Sequence, residues 1–272
     1  MTTENSKLQP QDLENTHPHA VVSRTEWLVA RKELLRKEKE FSRMGDELAQ
    51  CRRDLPWVRI TENYAFQTVT GTRTLADLFD GRQQLIIQHF MLAPGWEQGC
   101  SGCSFMADHS DGMNVHLANR DVSLVAVSRA PIGEIERFRQ RMGWRFRWVS
   151  SAQNSFNYDF AVSFTPEQTQ AGAVTYNYAD FNTNGTDMPG ISVFYKNDAG
   201  EIFHTYSTYG RGVEVMMGTY NMLDLVPKGR DEAGLSHGMN WVRHHDRYET
   251  APAIQDEAPS GCCSMRAEAK QA

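Results

Sequence analysis

Cys100-Ser101-Gly102-Cys103 places two thiols two residues apart, between an apolar run and a helical pattern. Leu85 to Leu92 reads as a buried strand, Pro94, Gly95 and Gly99 as a loop, and the residues after Cys103 as a helix. Unpaired backbone N–H groups at a helix N-terminus favour negative charge, so the first cysteine ionises more easily there. The two-residue spacer lets the second sulfur reach back and close a disulfide. The expected chemistry is thiol–disulfide exchange, with Cys100 attacking as thiolate and Cys103 resolving the mixed disulfide.

Other residues offer variations on that chemistry. Cys262 and Cys263 form a second thiol pair near the C-terminus. They could relay electrons to the main dithiol. Together with Cys100 and Cys103 they could also complete the four-sulfur set that zinc prefers, with His109, His116, His244 and His245 as further candidate ligands. Trp96 and Glu97 sit just before Cys100, where the indole would shield the dithiol or meet a substrate. Asp108, His109 and Asp111 follow one to two helical turns beyond Cys103 and read as surface or packing residues. His89 sits mid-strand and reads as a satisfied core histidine. Arg145 and Arg147 are expected on one strand face, opposite Trp144, Phe146 and Trp148. That face reads as solvated, with stabilisation of a thiolate or an anionic substrate as the alternative. Cys51 reads as a small buried hydrophobe.

The bulk properties narrow the class. A chain of 272 residues with 40% hydrophobic and 23% charged residues suits a globular protein with one large domain and additions. A net charge of −6 and the lack of a long basic block argue against nucleic-acid binding. No run approaches the roughly 18 apolar residues of a membrane span, and the polar N-terminus lacks the apolar centre of a secretory signal. A reducing cytoplasm is the expected compartment, where a C-x-x-C is catalytic or metal-binding rather than structural. No cofactor is expected.

The elements that must position the dithiol follow from the pattern. Residues 1–20 are polar and expected to be poorly ordered. A helix is expected within 21–55, opened by the Ser23/Glu26 capping-box spacing. Its apolar stripe repeats every seven residues at Trp27, Leu34, Phe41 and Leu48. Such a stripe suits packing along a main domain or pairing with a second copy as a homodimer. The main domain is expected over 56–228, with strands at 85–92, 122–127 and 144–149 and helices at 101–118 and 132–142. This β-α-β-α-β order implies a parallel sheet with crossover helices. Residues 151–187 read as an irregular insertion. Ile191 to Tyr195 and Glu201 to Tyr206 form a hairpin, and a helix follows over Val213 to Leu223. Residues 229–272 form a polar C-terminal extension with Trp241 as its anchor.

This order, with Pro189 opening the hairpin, resembles a thioredoxin-like α/β fold. The resemblance implies that Pro189 lies beside the dithiol as a cis-proline, with Met188 holding extended backbone against a peptide-like substrate. The whole chain is similar to a bacterial family of thioredoxin-like proteins of unknown function, distantly related to peroxiredoxins. The stretches Gly99 to Phe105, His204 to Tyr209 and Leu223 to Asp231 carry that likeness. The dithiol chemistry, rather than the likeness, calls for a protein or small-molecule thiol/disulfide substrate and an external electron donor. A thiol peroxidase using the same cysteines is the alternative. However, the peroxiredoxin threonine three residues before the reactive cysteine has no counterpart, since Glu97 stands there.

Overall fold

The computed structural model describes residues 19–249 apart from Ala173; Cys262, Cys263 and the N-terminal stretch to residue 18 lie outside the described residues. The chain divides into two compact units, Met1–Pro56 and Trp57–Ala272.

Among the described residues, the first unit holds one helix, α1 (Arg24–Arg53). Its start is set by the expected capping box: Ser23 Oγ accepts the Glu26 N–H at 3.3 Å, and the Glu26 carboxylate accepts the Ser23 N–H at 2.9 Å. Charged pairs along the helix, such as Arg36–Glu33 at 2.8 Å, support it locally. None of its side chains is buried, and Phe41 of the seven-residue stripe is 77% exposed. Cys51 is correspondingly exposed rather than buried, because no apolar layer covers that face.

The second unit is built on an eight-stranded sheet. Its strands are β1 (Val58–Arg59), β2 (Ala65–Thr68), β3 (Gly71–Thr74), β4 (Gln84–His89), β5 (Val122–Ser128), β6 (Arg147–Ser150), β9 (Gly190–Lys196) and β10 (Ile202–Tyr209). A separate hairpin pairs β7 (Val174–Tyr176) with β8 (Ala179–Phe181). The sheet order is β1-β10-β9-β4-β5-β6-β2-β3. β4, β5 and β6 run parallel, and β9 and β10 are antiparallel. The fold is therefore the thioredoxin-like α/β arrangement, with α3 (Ser101–Asn119) and α4 (Ile132–Arg141) as the crossovers.

The strands are hydrophobic on both faces because both are covered. Leu85 and Ile87 of β4, with Val125 and Val127 of β5, pack with Leu75 and Leu78 of α2 (Leu75–Leu78) and Phe156 of α5 (Phe156–Asp159). The alternate residues Ile86, Phe90, Leu124 and Ala126 face the layer formed by α3, α4 and α7 (Gly218–Leu223).

Several elements differ from the pattern-based expectation. The 151–187 stretch holds α5, α6 (Pro166–Gln170) and the β7–β8 hairpin, all too short for a readable period. Trp144 to Phe146 stay outside the sheet, because Asp111 Oδ1 accepts the N–H groups of Arg145 and Phe146 at 2.8 and 2.9 Å. Arg145 precedes β6 and pairs with Asp111, and Arg147 pairs with Asp80; both are exposed on the side opposite the buried Trp144, Phe146 and Trp148 and line one hollow, as the alternation predicts. The last helix begins as a 3-10 segment, Gly210–Met216, and becomes α-helical only at Gly218.

Two buried polar clusters matter for stability. Asp187, 3% exposed, receives Arg129 through Nε at 2.9 Å and Nη2 at 2.5 Å, together with the hydroxyls of Ser163 and Thr186. This ties the end of the insertion to the loop after β5. On the α5 face, His89, Ser192, Ser207 and His204 form a continuous hydrogen-bonded chain with steps of 2.7, 2.8 and 2.7 Å. His89 is thus a core histidine as expected, yet only its Nε2 is satisfied, since Nδ1 has no hydrogen-bond partner. Burial pulls His89 down from 6.5 to about 3, so it stays neutral in the folded protein.

Arg129→Met leaves a buried, unpaired carboxylate and should cost about 3–5 kcal/mol in urea unfolding, with Arg129→Met/Asp187→Leu recovering part of the loss. The unfolded chain binds a proton at His89 more readily than the folded protein does. Stability should therefore be full above pH 6.5 and fall as the pH drops towards about 3. His89→Gln should make that slope shallower in urea titrations across this range.

Candidate active site

The loop leaving β4 brings the chain back on itself at the dithiol. The Cys100 N–H donates to the Met91 carbonyl at 3.0 Å, and the Met91 N–H points at Cys103 Sγ at 3.5 Å. Gln88 Nε2 donates to the Cys103 carbonyl at 3.1 Å. Cys100 is the N-cap of α3, and its carbonyl accepts both the N–H and the hydroxyl of Ser104, at 3.0 and 2.9 Å. Gly99 is required on steric grounds: a Cβ there would stand 2.5 Å from the Phe90 ring and 2.8 Å from the Phe138 ring. The Gly99 carbonyl accepts a hydrogen bond from His244 Nε2 at 2.9 Å.

Both thiols are free, and their environments differ. Cys100 is half-buried, whereas Cys103 is 2% exposed. The Cys103 thiol and the Cys103 and Gly102 amides at the start of α3 stabilise the Cys100 thiolate. Together they outweigh burial and bring Cys100 down from 9 to about 6. Cys103 moves the other way: as donor to Cys100, and fully buried, it holds its proton well above the usual thiol range, with the Asp187 carboxylate adding to the effect.

Beside the sulfurs lies a cavity of about 310 Å³, walled by Met106, Pro189, Val213, Met217 and Met239. Arg211 and Glu214 also line it, paired with each other at 2.8 Å. Pro189 is therefore next to the dithiol, as its place before β9 implies. Its peptide bond is trans, and no cis peptide bond occurs among the described residues. The expectation of a cis-proline is thus corrected: the segment is held instead by Tyr176 Oη, which donates to the Pro189 carbonyl at 2.7 Å and accepts the Gly210 N–H at 2.8 Å. Met188 does not line the cavity. It packs against the Val162, Phe164 and Tyr176 cluster, and its N–H is committed to the Val162 carbonyl at 2.9 Å. Trp96 is 39% exposed and also lies off the cavity wall, so it does not shield the sulfurs.

The C-terminal extension supplies the wall that pattern reading missed. Met239 Cε lies 3.2 Å from where a Cβ on Gly102 would stand, and Cys100 Sγ lies 3.8 Å from the same point. Glu232 Oε1 holds this stretch by accepting from Tyr220 Oη, the Met239 N–H and Trp241 Nε1, at 2.7, 2.9 and 2.7 Å. Further along, His245 Nδ1 bonds Asp108 at 2.6 Å, and Arg141 pairs with Asp246 at 2.8 Å. Asp108 also accepts from Trp144 Nε1 at 2.7 Å, while His109 bonds the Phe105 carbonyl and Thr219. These two residues are packing groups, as expected. Trp241 was the only sequence signal that this polar stretch is docked.

Of the histidines proposed as ligands, His109, His244 and His245 are committed to these separate contacts, and His116 lies in the last turn of α3. Among the described residues, no three His, Cys, Asp or Glu side chains form a group that could hold a metal ion. Among the same residues, no helix is long and apolar enough to cross a membrane.

Residues 16–248 match the family described as "Bacterial protein of unknown function (DUF899)". The chain belongs to this family. No curated protein matches it. Among solved structures it is similar to the peroxidoxin BcpB of Mycobacterium tuberculosis, with 13% identity, TM-score 0.40, and coverage of 61% of this chain and 95% of that one. It is also similar to a cysteine-to-serine mutant of PrxQ from Xylella fastidiosa, with 12% identity, TM-score 0.40, and coverage of 61% and 94%. A yeast mitochondrial 1-Cys peroxiredoxin matches at 15% identity and TM-score 0.36, covering 60% and 74%. No residue role passes from these proteins to the DUF899 chain.

Because the thiolate is the reactive form, alkylation of Cys100 by iodoacetamide should rise with pH to a plateau, with its midpoint near about 6. Cys103→Ala removes the largest stabilising contact, and the midpoint should move up towards 9, read by peptide mass after timed quenching.

Proposed function

We propose that this DUF899 protein is a thiol–disulfide oxidoreductase whose reacting groups are Cys100 and Cys103. The observation that carries this reading is the placement of the two sulfurs: Cys100 is half-buried at the N-cap of α3 beside an apolar cavity, and Cys103 is buried one turn further on. Cys100 is pulled down to about 6 at the mouth of a cavity, while its buried partner keeps its proton. A nucleophile and a resolving thiol need that division of labour.

In the forward direction the Cys100 thiolate attacks one sulfur of a substrate disulfide, R–S–S–R. A Cys100–S–S–R bond forms, the R–S–S–R bond breaks, and RS⁻ leaves. Cys103 then gives its proton to the departing RS⁻, which leaves as RSH, and attacks the Cys100 sulfur. The Cys100–Cys103 disulfide forms and the second thiol is released. The substrate gains two electrons and the protein loses two. An external dithiol restores the reduced pair by the reverse exchange, so no cofactor takes part. This cycle suits a reducing cytoplasm, where the resting pair stays reduced.

The peroxidase alternative draws less support from the site. The seven residues before Cys100 hold no threonine. The four-sulfur metal alternative depends on Cys262 and Cys263, which lie outside the described residues.

Intact-mass and disulfide mapping of the reduced protein, titrated with a mild oxidant, should show a reversible loss of two hydrogens assigned to Cys100–Cys103. Cys100→Ser should lower disulfide reduction by at least about 10³-fold. Cys103→Ser should accumulate one substrate thiol on Cys100. Unchanged turnover in Cys100→Ser would refute the mechanism.

A further inference from the structure

The surroundings of the dithiol define what can reach it. We propose that the physiological substrate is a small, uncharged disulfide with an apolar body, bound in the Met-lined cavity, rather than a protein strand or a charged peptide disulfide. This inference rests on the thiol–disulfide reading above and adds the substrate class to it.

Three observations carry it. The first is size. A cavity of about 310 Å³ is at the lower end of the range for small-ligand sites, matching a small disulfide rather than a drug-sized molecule. The second is chemistry. Met106, Val213, Met217, Met239 and Pro189 offer no polar group in their side chains. The lining's two charged side chains, Arg211 and Glu214, pair with each other, with Arg211 largely exposed to solvent, and Arg230 also bonds Glu214 at 3.1 Å. A charged substrate would be desolvated there without a compensating partner. Flexible methionine side chains suit apolar ligands of varied shape.

The third observation is the backbone. A protein substrate would need main-chain partners beside the dithiol, as strand addition does. The Met188 N–H is already bonded to Val162, and the Pro189 carbonyl to Tyr176. Over the sulfurs, Met239 forms part of the wall, fixed by the three hydrogen bonds to Glu232 Oε1. The Met188 N–H and the Pro189 carbonyl are thus taken up by this chain's own groups.

The reaction is balanced by the substrate alone: protein dithiol plus R–S–S–R gives protein disulfide plus two R–SH. The test compares oxidation of the reduced full-length protein by dimethyl, diethyl and dipropyl disulfide, glutathione disulfide and oxidised insulin. Acid quenching and intact mass give each rate, which is divided by the rate of the same disulfide with dithiothreitol. The corrected rates should rise along the dialkyl series by about fourfold per methylene buried. They should exceed those of glutathione disulfide and insulin by at least about tenfold.

Val213→Asp, which puts a carboxylate in the wall, should flatten the dialkyl series. Met239→Ala, which removes part of the cover, should narrow the gap to glutathione disulfide. A flat series, or glutathione disulfide or insulin matching dipropyl disulfide, overturns the substrate class. Diamide, a small uncharged oxidant, separates the two levels of the argument. If it closes Cys100–Cys103 and the series is flat, the substrate class alone fails. If it does not close that disulfide, the oxidoreductase reading fails with it.

Discussion

Met91 accepts the N–H of Cys100 on its carbonyl and points its own N–H at the sulfur of Cys103. This reciprocal contact joins the end of β4 to the start of α3, and the rest of the site depends on it. It fixes Cys100 at the N-cap, where the amides of the first turn face its sulfur. It also keeps Cys103 on the inner side of the helix, against the sheet. The acidity difference between two identical side chains follows from that placement, since one gains amide donors and a thiol donor while the other is buried and donates.

The rest of the domain holds this junction from several directions. Phe90 and Phe138 close around Gly99, which leaves no space for a side chain. Gln88 secures the Cys103 carbonyl from the same strand. Tyr176, in the small β7–β8 hairpin, grips both Pro189 and Gly210, so the insertion braces the side of the cavity opposite α3. The Arg129–Asp187 pair anchors the same segment two residues earlier. These contacts give Pro189 a fixed place beside the sulfurs with an ordinary trans bond. Backbone groups that would otherwise be open to a substrate strand are consumed in the bracing, and an apolar hollow is left beside the thiolate.

Much of this arrangement was legible in the chain. The alternation of strand and helix patterns over 85–149 dictated the parallel β4–β5–β6 unit, because each strand is a short apolar run and a helical pattern separates it from the next. The C-x-x-C after a buried strand pointed to the dithiol, and the Ser23/Glu26 spacing marked the first turn of α1. Local chemistry decides each of these, so a local reading suffices. Where the reading failed, a distant group had intervened. Asp111 captures the amides of Arg145 and Phe146 and delays β6, although the strand-like alternation begins at Trp144. Cys51 looked buried by spacing, but a stripe on a helix is buried only where something covers it.

The division has a physical basis. Sequence alone determined which two sulfurs stand at a helix start, which segments are strands and helices, and that the strands are apolar on both faces, because periodicity, capping and glycine placement act over a few residues. Sequence also pointed to Cys100 as the more acidic thiol from its place at a helix start; the tertiary structure added the burial of Cys103 and the Cys103 and Gly102 amides that converge on the Cys100 sulfur. Only the tertiary structure placed Met239, Met217 and Val213, from segments more than a hundred residues away, around the same sulfurs. Hydrogen bonds such as those to Glu232 and Asp187 bring residues together through the closed fold, and no spacing along the chain encodes them.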